Sequence, residues 1–117
     1  MTIVTSEEPA SERYAAQVVL TLMYVDHCRN WPLAADRVHA AVKQVSDRRV
    51  CVEWRPIRHA GTPGFAGSPT FLVKGVDPFP GAAASDLCCR LYDTGNGIEG
   101  APSVQQLVAA LRGAMRA

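Results

Sequence analysis

The stretch VVLTLMYVDHCRNWP, residues 18–32, decides the fold of this chain. Its first part, Val18–Val25, is apolar or aromatic except for Thr21, and it is rich in branched side chains. A short run of this kind is typical of a strand that is covered on both faces. Pro32 stands where a helix can begin, because the first helical position needs no backbone N–H donor. The stretch therefore predicts a buried strand, a turn that carries Cys28, and the start of a helix.

The next residues continue as a helix and a strand. Apolar side chains at spacings of three and four predict a helix over Pro32–Ser46, and a period of two predicts a strand over Val50–Pro56. The charged face and the closing proline indicate that this strand lies at an edge of a sheet. A strand, a helix and a strand in this order predict a parallel pair with a right-handed crossover.

The second half of the chain predicts two more strands and a final helix. Thr70–Lys74 is the third predicted strand, Leu87–Asp93 is the fourth, and the glycine-rich residues 94–102 form a predicted loop. Ser103 opens the last helix with Gln106 three positions later, which is the pattern of a capping box. This order, a βαβ unit followed by a ββα unit, predicts an α/β fold with a four-stranded mixed sheet. It resembles the layout of the thioredoxin-like fold, in which the first and third strands would be central and the two helices would lie across the sheet.

Length and composition describe one ordinary soluble domain. The chain has 117 residues, of which 48% are apolar and 20% charged, and its formal net charge is +1. This charge gives no reason to expect nucleic acid or an anionic membrane as a partner, and no stretch is long enough to span a bilayer. The polar and acidic residues 1–13 are predicted to be disordered and contain no secretory signal. We therefore expect a single domain over residues 14–117 in the cytoplasm.

Cys28 is the strongest candidate for chemistry. The unpaired N–H groups and the positive dipole end of the following helix favour the thiolate form, so we expect an exposed and reactive thiol. The alternative is a small apolar side chain in a tight turn. Asp26 stands two residues earlier and could accept a proton or cap the turn, although its charge would oppose a thiolate.

The other cysteines, at positions 51, 88 and 89, form no C-x-x-C pair with Cys28 or with each other. In a cytosolic chain they are expected to be thiols, and their spacing predicts no metal site. Cys51 is expected to be structural, and Cys89 is the candidate resolving thiol. The predicted fourth strand leaves Cys89 roughly 10 Å from the end of the sheet near Cys28, whereas a disulfide needs Cα atoms within about 7 Å. We therefore expect no direct bridge between Cys28 and Cys89 without rearrangement.

Several short motifs resemble segments of thioredoxin-like proteins. YVDHCRNW (24–31) resembles the redox turn, with Cys28 at the nucleophilic position and Trp31 at the position of the second cysteine. GSPTF (67–71) resembles the segment that places a cis-proline beside the nucleophile. Together with DPF (77–79), CRLY (89–92) and GAPS (100–103), these motifs make residues 18–112 similar to a small group of bacterial proteins described as thioredoxin-family or alkylmercury-lyase-like.

The resemblance implies a thioredoxin-like, glutaredoxin-like fold and a cis bond before Pro69. Ser68, Pro69 and Thr70 would then bind an extended peptide or glutathione through backbone groups. Trp31 would shield the thiol or offer a flat face to a ligand, and its alternative is packing over the start of the helix.

The resemblance also implies a thiol–disulfide redox protein that uses Cys28 as a single nucleophile, without a cofactor other than glutathione or another thiol reductant. Its partners would be a disulfide substrate and a low-molecular-weight thiol or peptide, and the chain would be a monomer or a weak homodimer. Two alternatives stay open. One is a non-catalytic binding module at the Pro69 edge, and the other is an organomercurial-lyase-like or soft-metal site formed by Cys28, a second cysteine and Asp26.

Overall fold

The computed structural model describes residues 17–59, 61–79 and 90–116, which form an α/β arrangement of a mixed three-stranded sheet, a two-stranded sheet and two helices. The predicted disordered segment 1–13 lies outside the described residues. The strands are β1 (Val18–Tyr24), β2 (Val50–Pro56), β3 (Thr70–Val73), β4 (Tyr92–Asp93) and β5 (Ile98–Glu99), and the helices are α1 (Trp31–Val45) and α2 (Val104–Arg116).

The main sheet is built around β1, with strand order β2-β1-β3. β2 runs parallel to β1, with Tyr24 opposite Pro56, and β3 runs antiparallel, with Met23 opposite Thr70. The parallel pair is therefore confirmed, and β2 lies at an edge of the sheet that the described residues form, as predicted. The third strand begins beside the end of β1, so the residues before β3 lie next to the turn that carries Cys28.

The later strands differ from the sequence-based expectation. Within the described residues β3 is an edge strand of the main sheet, so its expected central position and a four-stranded sheet are not confirmed. Residues 87–89 of the predicted fourth strand lie outside the described part, and its end, β4, pairs with β5 instead of with β3. β5 lies in the segment 94–102, for which the sequence predicts a loop. That prediction is wrong at β5, because a strand of two residues is too short to show a period in the sequence.

Both helices pack on one face of the main sheet. Alternate residues of β1 share a hydrophobic core with both helices, and this core includes Leu20, Leu22, Val38, Leu107 and Leu111, all fully buried. The other face carries a smaller buried cluster of Met23, Ile57 and Leu72. Alternation along β1 thus divides its side chains between two apolar layers, which explains why nearly the whole strand is buried.

The ends of the helices follow from local sequence. In α2 the predicted capping box is confirmed, because the Ser103 hydroxyl accepts from the Gln106 N–H at 3.1 Å and the Gln106 side chain accepts from the Ser103 N–H at 2.8 Å. α1 has Pro32 in its first turn and ends at Val45. The C-cap residue Ser46 donates its N–H to the Val42 carbonyl at 2.9 Å, and its left-handed conformation turns the chain away from the helix. No helix in the described part of the chain is long and apolar enough to cross a membrane.

Candidate functional site

Cys28 lies in the turn that joins β1 to α1, as the sequence predicts. Its N–H donates to the Val25 carbonyl at 2.9 Å, and its own carbonyl accepts from the Trp31 N–H at 3.5 Å. Asn30 is the N-cap of α1, so Cys28 stands two residues before the N-cap and outside the helix. The turn therefore holds the cysteine close to the positive end of the α1 dipole.

The Cys28 side chain is buried, and the expectation of an exposed thiol is wrong. Only 5% of the residue is exposed. Its thiol donates to the Ser68 carbonyl at 3.7 Å, and the Ser68 hydroxyl accepts from the Val25 N–H at 3.0 Å. A segment distant in sequence thus packs over the turn, which local sequence patterns do not reveal. The thiol is held at the backbone that precedes Pro69.

The Ser68–Pro69 peptide bond is cis, as the resemblance implies. Ser68, Pro69 and Thr70 are fully buried. The Ser68 carbonyl also accepts from the Arg90 N–H at 3.1 Å, and the Pro69 carbonyl accepts from the Tyr92 hydroxyl. Because both carbonyls are hydrogen-bonded inside the chain, this edge does not present them to an extended peptide. Ser68, Pro69 and Thr70 form a buried wall behind the thiol, and their expected role in binding a ligand stays a prediction.

Arg90 supports this wall, and the candidate residues from sequence did not include it. It is 1% exposed and pairs with Asp77, with Nη1 at 2.8 Å from Oδ2. It also donates to the Phe79 carbonyl at 2.7 Å. Its guanidinium lies 4.7 Å from the centre of the Tyr92 ring, which is a cation–π contact. Opposite charges in the DPF and CRLY motifs are the signal in the sequence that indicates this pair.

Tyr92 joins the Arg90 pair to the cis-proline segment. Burial raises the pKa of its phenol far above the usual value, so the hydroxyl stays protonated and donates to the Pro69 carbonyl. Its ring also packs edge-to-face on Phe71 and Phe79, with centroid distances of 6.0 and 5.6 Å. These contacts fix the backbone against which the Cys28 thiol rests.

Trp31 faces a groove between α1 and the edge strand β2. Its ring stacks on Tyr24 with centroids 4.4 Å apart, and its indole N–H donates to the Asp26 carbonyl at 3.3 Å. The groove has a volume of about 360 Å³ and is lined by Tyr24, Trp31, Ala35, His39 and Trp54. Trp31 therefore both packs at the start of α1 and offers part of its surface to this open groove.

The described residues show no hydrogen bond between the Cys28 thiol and either Asp26 or Cys51. Asp26 is exposed and is tied to Trp31 through its backbone carbonyl, so its acid–base role stays a prediction. Cys51 pairs with Val19 at the opposite end of β1, about 17 Å from Tyr24 at about 3.3 Å per residue. Its sulfur accepts from the Gln17 side chain at 3.2 Å. Cys89 lies outside the described residues, so its role as a resolving thiol stays a prediction.

Cys28 and Cys51 are both free thiols. Among residues 17–59, 61–79 and 90–116, no group of three histidine, cysteine or acidic side chains is placed to hold a metal ion. Compared with family models, with curated proteins and with solved structures, the chain gives no match. The function of this chain is therefore inferred from the geometry of the site.

Proposed function

We propose that this chain is a thiol–disulfide exchange protein of thioredoxin-like architecture, with Cys28 as its single nucleophile. The observation that carries the proposal is the position of the Cys28 thiol, which lies between the N-terminus of α1 and the cis Ser68–Pro69 bond. Two features of a tuned thiol meet there: the helix dipole favours negative charge, and fixed backbone groups surround the sulfur.

The proposed reaction is two successive thiol–disulfide exchanges. The Cys28 thiol loses its proton to solvent, and the thiolate attacks one sulfur of a substrate disulfide. A new S–S bond forms at Cys28, the substrate S–S bond breaks, and the second sulfur leaves as a thiolate that takes up a proton. Glutathione or another low-molecular-weight thiol then attacks the mixed disulfide and restores the Cys28 thiol. The sulfur of this attacking thiol bonds to the substrate sulfur, and the S–S bond to Cys28 breaks. The product is a disulfide between the resolving thiol and that substrate sulfur, while the other substrate sulfur has become a thiol.

In the resting structure the Cys28 thiol is buried and donates a hydrogen bond to the Ser68 carbonyl. Cys28 is only 5% exposed there, so a substrate disulfide cannot reach the sulfur in this arrangement. The reaction therefore requires the sulfur to leave the Ser68 carbonyl and turn toward solvent and the substrate. We infer that the turn around Cys28 opens during each exchange, and that the activity belongs in a reducing compartment such as the cytoplasm.

The two alternatives receive less support from the geometry. A peptide-binding module at Pro69 would need free backbone groups, and the carbonyls of Ser68 and Pro69 already accept hydrogen bonds within the chain. An organomercurial-lyase-like site would need two adjacent thiols. Cys28 and Cys51, the two described free cysteines, lie at opposite ends of β1.

The test is reaction with glutathione disulfide followed by mass spectrometry of the peptides. A variant with Cys51, Cys88 and Cys89 replaced by serine isolates the candidate thiol, and the same variant with Cys28→Ser is the matched control. We expect one glutathione adduct on Cys28 and its release by excess reduced glutathione. Absence of an adduct on the folded chain, when the urea-unfolded chain is modified, would exclude the proposed function.

A further inference from the structure

The outer edge of β2 is unpaired among the described residues. β2 lies at the end of the sheet order β2-β1-β3, and its second half is exposed. The Ile57 N–H donates to Tyr24 and the Arg49 carbonyl accepts from Val18, so the odd-numbered residues direct their backbone groups to β1. Because these directions alternate in a parallel ladder, the N–H groups of Val52 and Trp54 point away from the sheet. Such an edge can pair with another strand.

The charges on β2 are complementary to those of a second copy of the same strand. Glu53 and Arg55 are exposed and flank Trp54, and both lie on the sheet face that is opposite the helices. If two copies pair antiparallel with Trp54 opposite Trp54 of the partner subunit, each Glu53 faces Arg55 of the partner subunit. Opposite charges at such cross-strand positions stabilise a sheet, and like charges destabilise it.

The same charges disfavour the two neighbouring registers of this antiparallel pairing. Only even-numbered residues of β2 present outward backbone groups, so the next possible registers centre on Glu53 or on Arg55. The first register places two carboxylates opposite each other, and the second places two guanidinium groups opposite each other. The register centred on Trp54 is therefore favoured over both. Glu53 can pair with the partner's Arg55 in this register, because the Thr21 hydroxyl donates to Oε1 of Glu53 at 2.9 Å and leaves Oε2 for the ion pair.

Hydrogen bonding and apolar burial support the register centred on Trp54. The two Trp54 residues would exchange both backbone hydrogen bonds, and each Val52 N–H would reach Pro56 of the partner subunit, which gives about four main-chain bonds. Pro56 has no N–H to return and ends the ladder there. Trp54 is 37% exposed and lines the groove with Tyr24, Trp31, Ala35 and His39. The indole of the partner's Trp54 would lie on the same face beside this groove.

We propose that β2 is a self-association edge, at which two copies of this chain pair antiparallel about Trp54 and join their sheets. The contact is short, so the dimer is weak and forms in a concentration-dependent manner. The proposal does not depend on the chemistry of Cys28. A Cys28→Ser variant is expected to associate as the wild type does.

Charge reversal tests the proposal by sedimentation equilibrium from micromolar to millimolar concentrations. We expect Arg55→Glu to weaken dimerisation by about tenfold or more, because two attractive pairs become two repulsive ones. The double variant Glu53→Arg/Arg55→Glu restores opposite charges and is expected to restore the dimer. Arg112→Glu, on the exposed face of α2, makes the same change in net charge and is expected to have no effect. Circular dichroism confirms that each variant is folded.

Hydrogen exchange gives a second and independent result. The backbone amides of Val52 and Trp54 are expected to gain protection as the concentration rises, whereas the amides of other exposed residues should not. A chain that remains monomeric at millimolar concentration overturns the proposal. A dimer that is insensitive to Arg55→Glu, that the double variant does not restore, or that leaves the Val52 and Trp54 amides unprotected also overturns it, because its interface then lies elsewhere.

Discussion

The substitution Asp77→Asn tests how the wall behind the Cys28 thiol is held. Asp77 accepts from the two terminal nitrogens of Arg90 at 2.8 and 3.3 Å, and it accepts from the Phe79 N–H at 2.8 Å. Asparagine has the same shape, and its oxygen can still accept from Phe79. The substitution therefore removes the negative charge from a guanidinium that is 1% exposed, while it leaves the turn intact.

The expected cost follows from the burial of the two partners. Removal of one partner from a fully buried ion pair costs about 3–5 kcal/mol, because the remaining charge is left without compensation. The Asp77 side chain is 25% exposed, so water screens part of the interaction, and Arg90 keeps its bond to the Phe79 carbonyl. We therefore expect Asp77→Asn to lower the free energy of unfolding by about 2–3 kcal/mol. In a domain of this size, that lowers Tm by roughly 10–15 °C.

The assay is urea unfolding followed by far-UV circular dichroism, with Asp36→Asn on the exposed face of α1 as the matched control. A double-mutant cycle with Arg90→Met separates the ion pair from other effects. Once Arg90 is replaced, the Asp77 charge has no buried partner, so the double variant should be no less stable than Arg90→Met alone. A loss below about 0.5 kcal/mol for Asp77→Asn would refute the reasoning, since that is the range of surface substitutions without structural effect.

Further predictions concern three single substitutions, at Glu99, Gly100 and Gly113. The hydrogen bond from Arg37 lowers the pKa of Glu99 from its usual value of 4.5, so its contribution to stability is present above that pH and is lost as the pH falls through the lowered pKa. At neutral pH, the Glu99→Gln variant should therefore unfold at a lower urea concentration than the wild type, and the difference between the two midpoints should vanish in strong acid. A difference between the midpoints that does not change with pH would contradict this prediction. A Cβ at Gly100 would clash with the side-chain amide of Asn30, the N-cap residue of α1, so we expect Gly100→Ala to cost about 1–3 kcal/mol in urea unfolding; an unchanged stability would contradict this and show that the Asn30 side chain moves aside without cost. Gly113→Ala, where a Cβ meets nothing within 4 Å inside α2, should instead stabilise by about 0.5–1 kcal/mol, and destabilisation there would show that the helix interior is crowded.

The periodic elements of this fold could be predicted from sequence. The predicted helix over Pro32–Ser46 lies within one residue of α1, and the predicted strand over Val50–Pro56 coincides with β2. Both carry enough residues for a period to emerge above chance. β4 and β5 are too short for such a period, and their pairing depends on a turn in which Thr94 donates to the Gly97 carbonyl at 3.0 Å.

The environment of Cys28 could be predicted only in part. Its place before a helix follows from the apolar run and Pro32, and the cis bond at Pro69 follows from the resemblance. The burial of Cys28 does not follow from the sequence, because it arises from contact with Ser68, forty residues away in the chain. The burial of Arg90 was unpredictable for the same reason, since the charge points inward only because Asp77 and the Phe79 carbonyl meet it there.

The most direct test of the central claim is the rate at which Cys28 reacts with a small disulfide across pH, measured in the folded and in the urea-unfolded chain. The variant with serine at positions 51, 88 and 89 limits the signal to this thiol. We predict that folded Cys28 reacts with the disulfide near neutral pH at a rate at least equal to that of the unfolded thiol. A folded thiol that reacts far more slowly than the unfolded one at every pH would contradict the account and identify Cys28 as a buried structural residue.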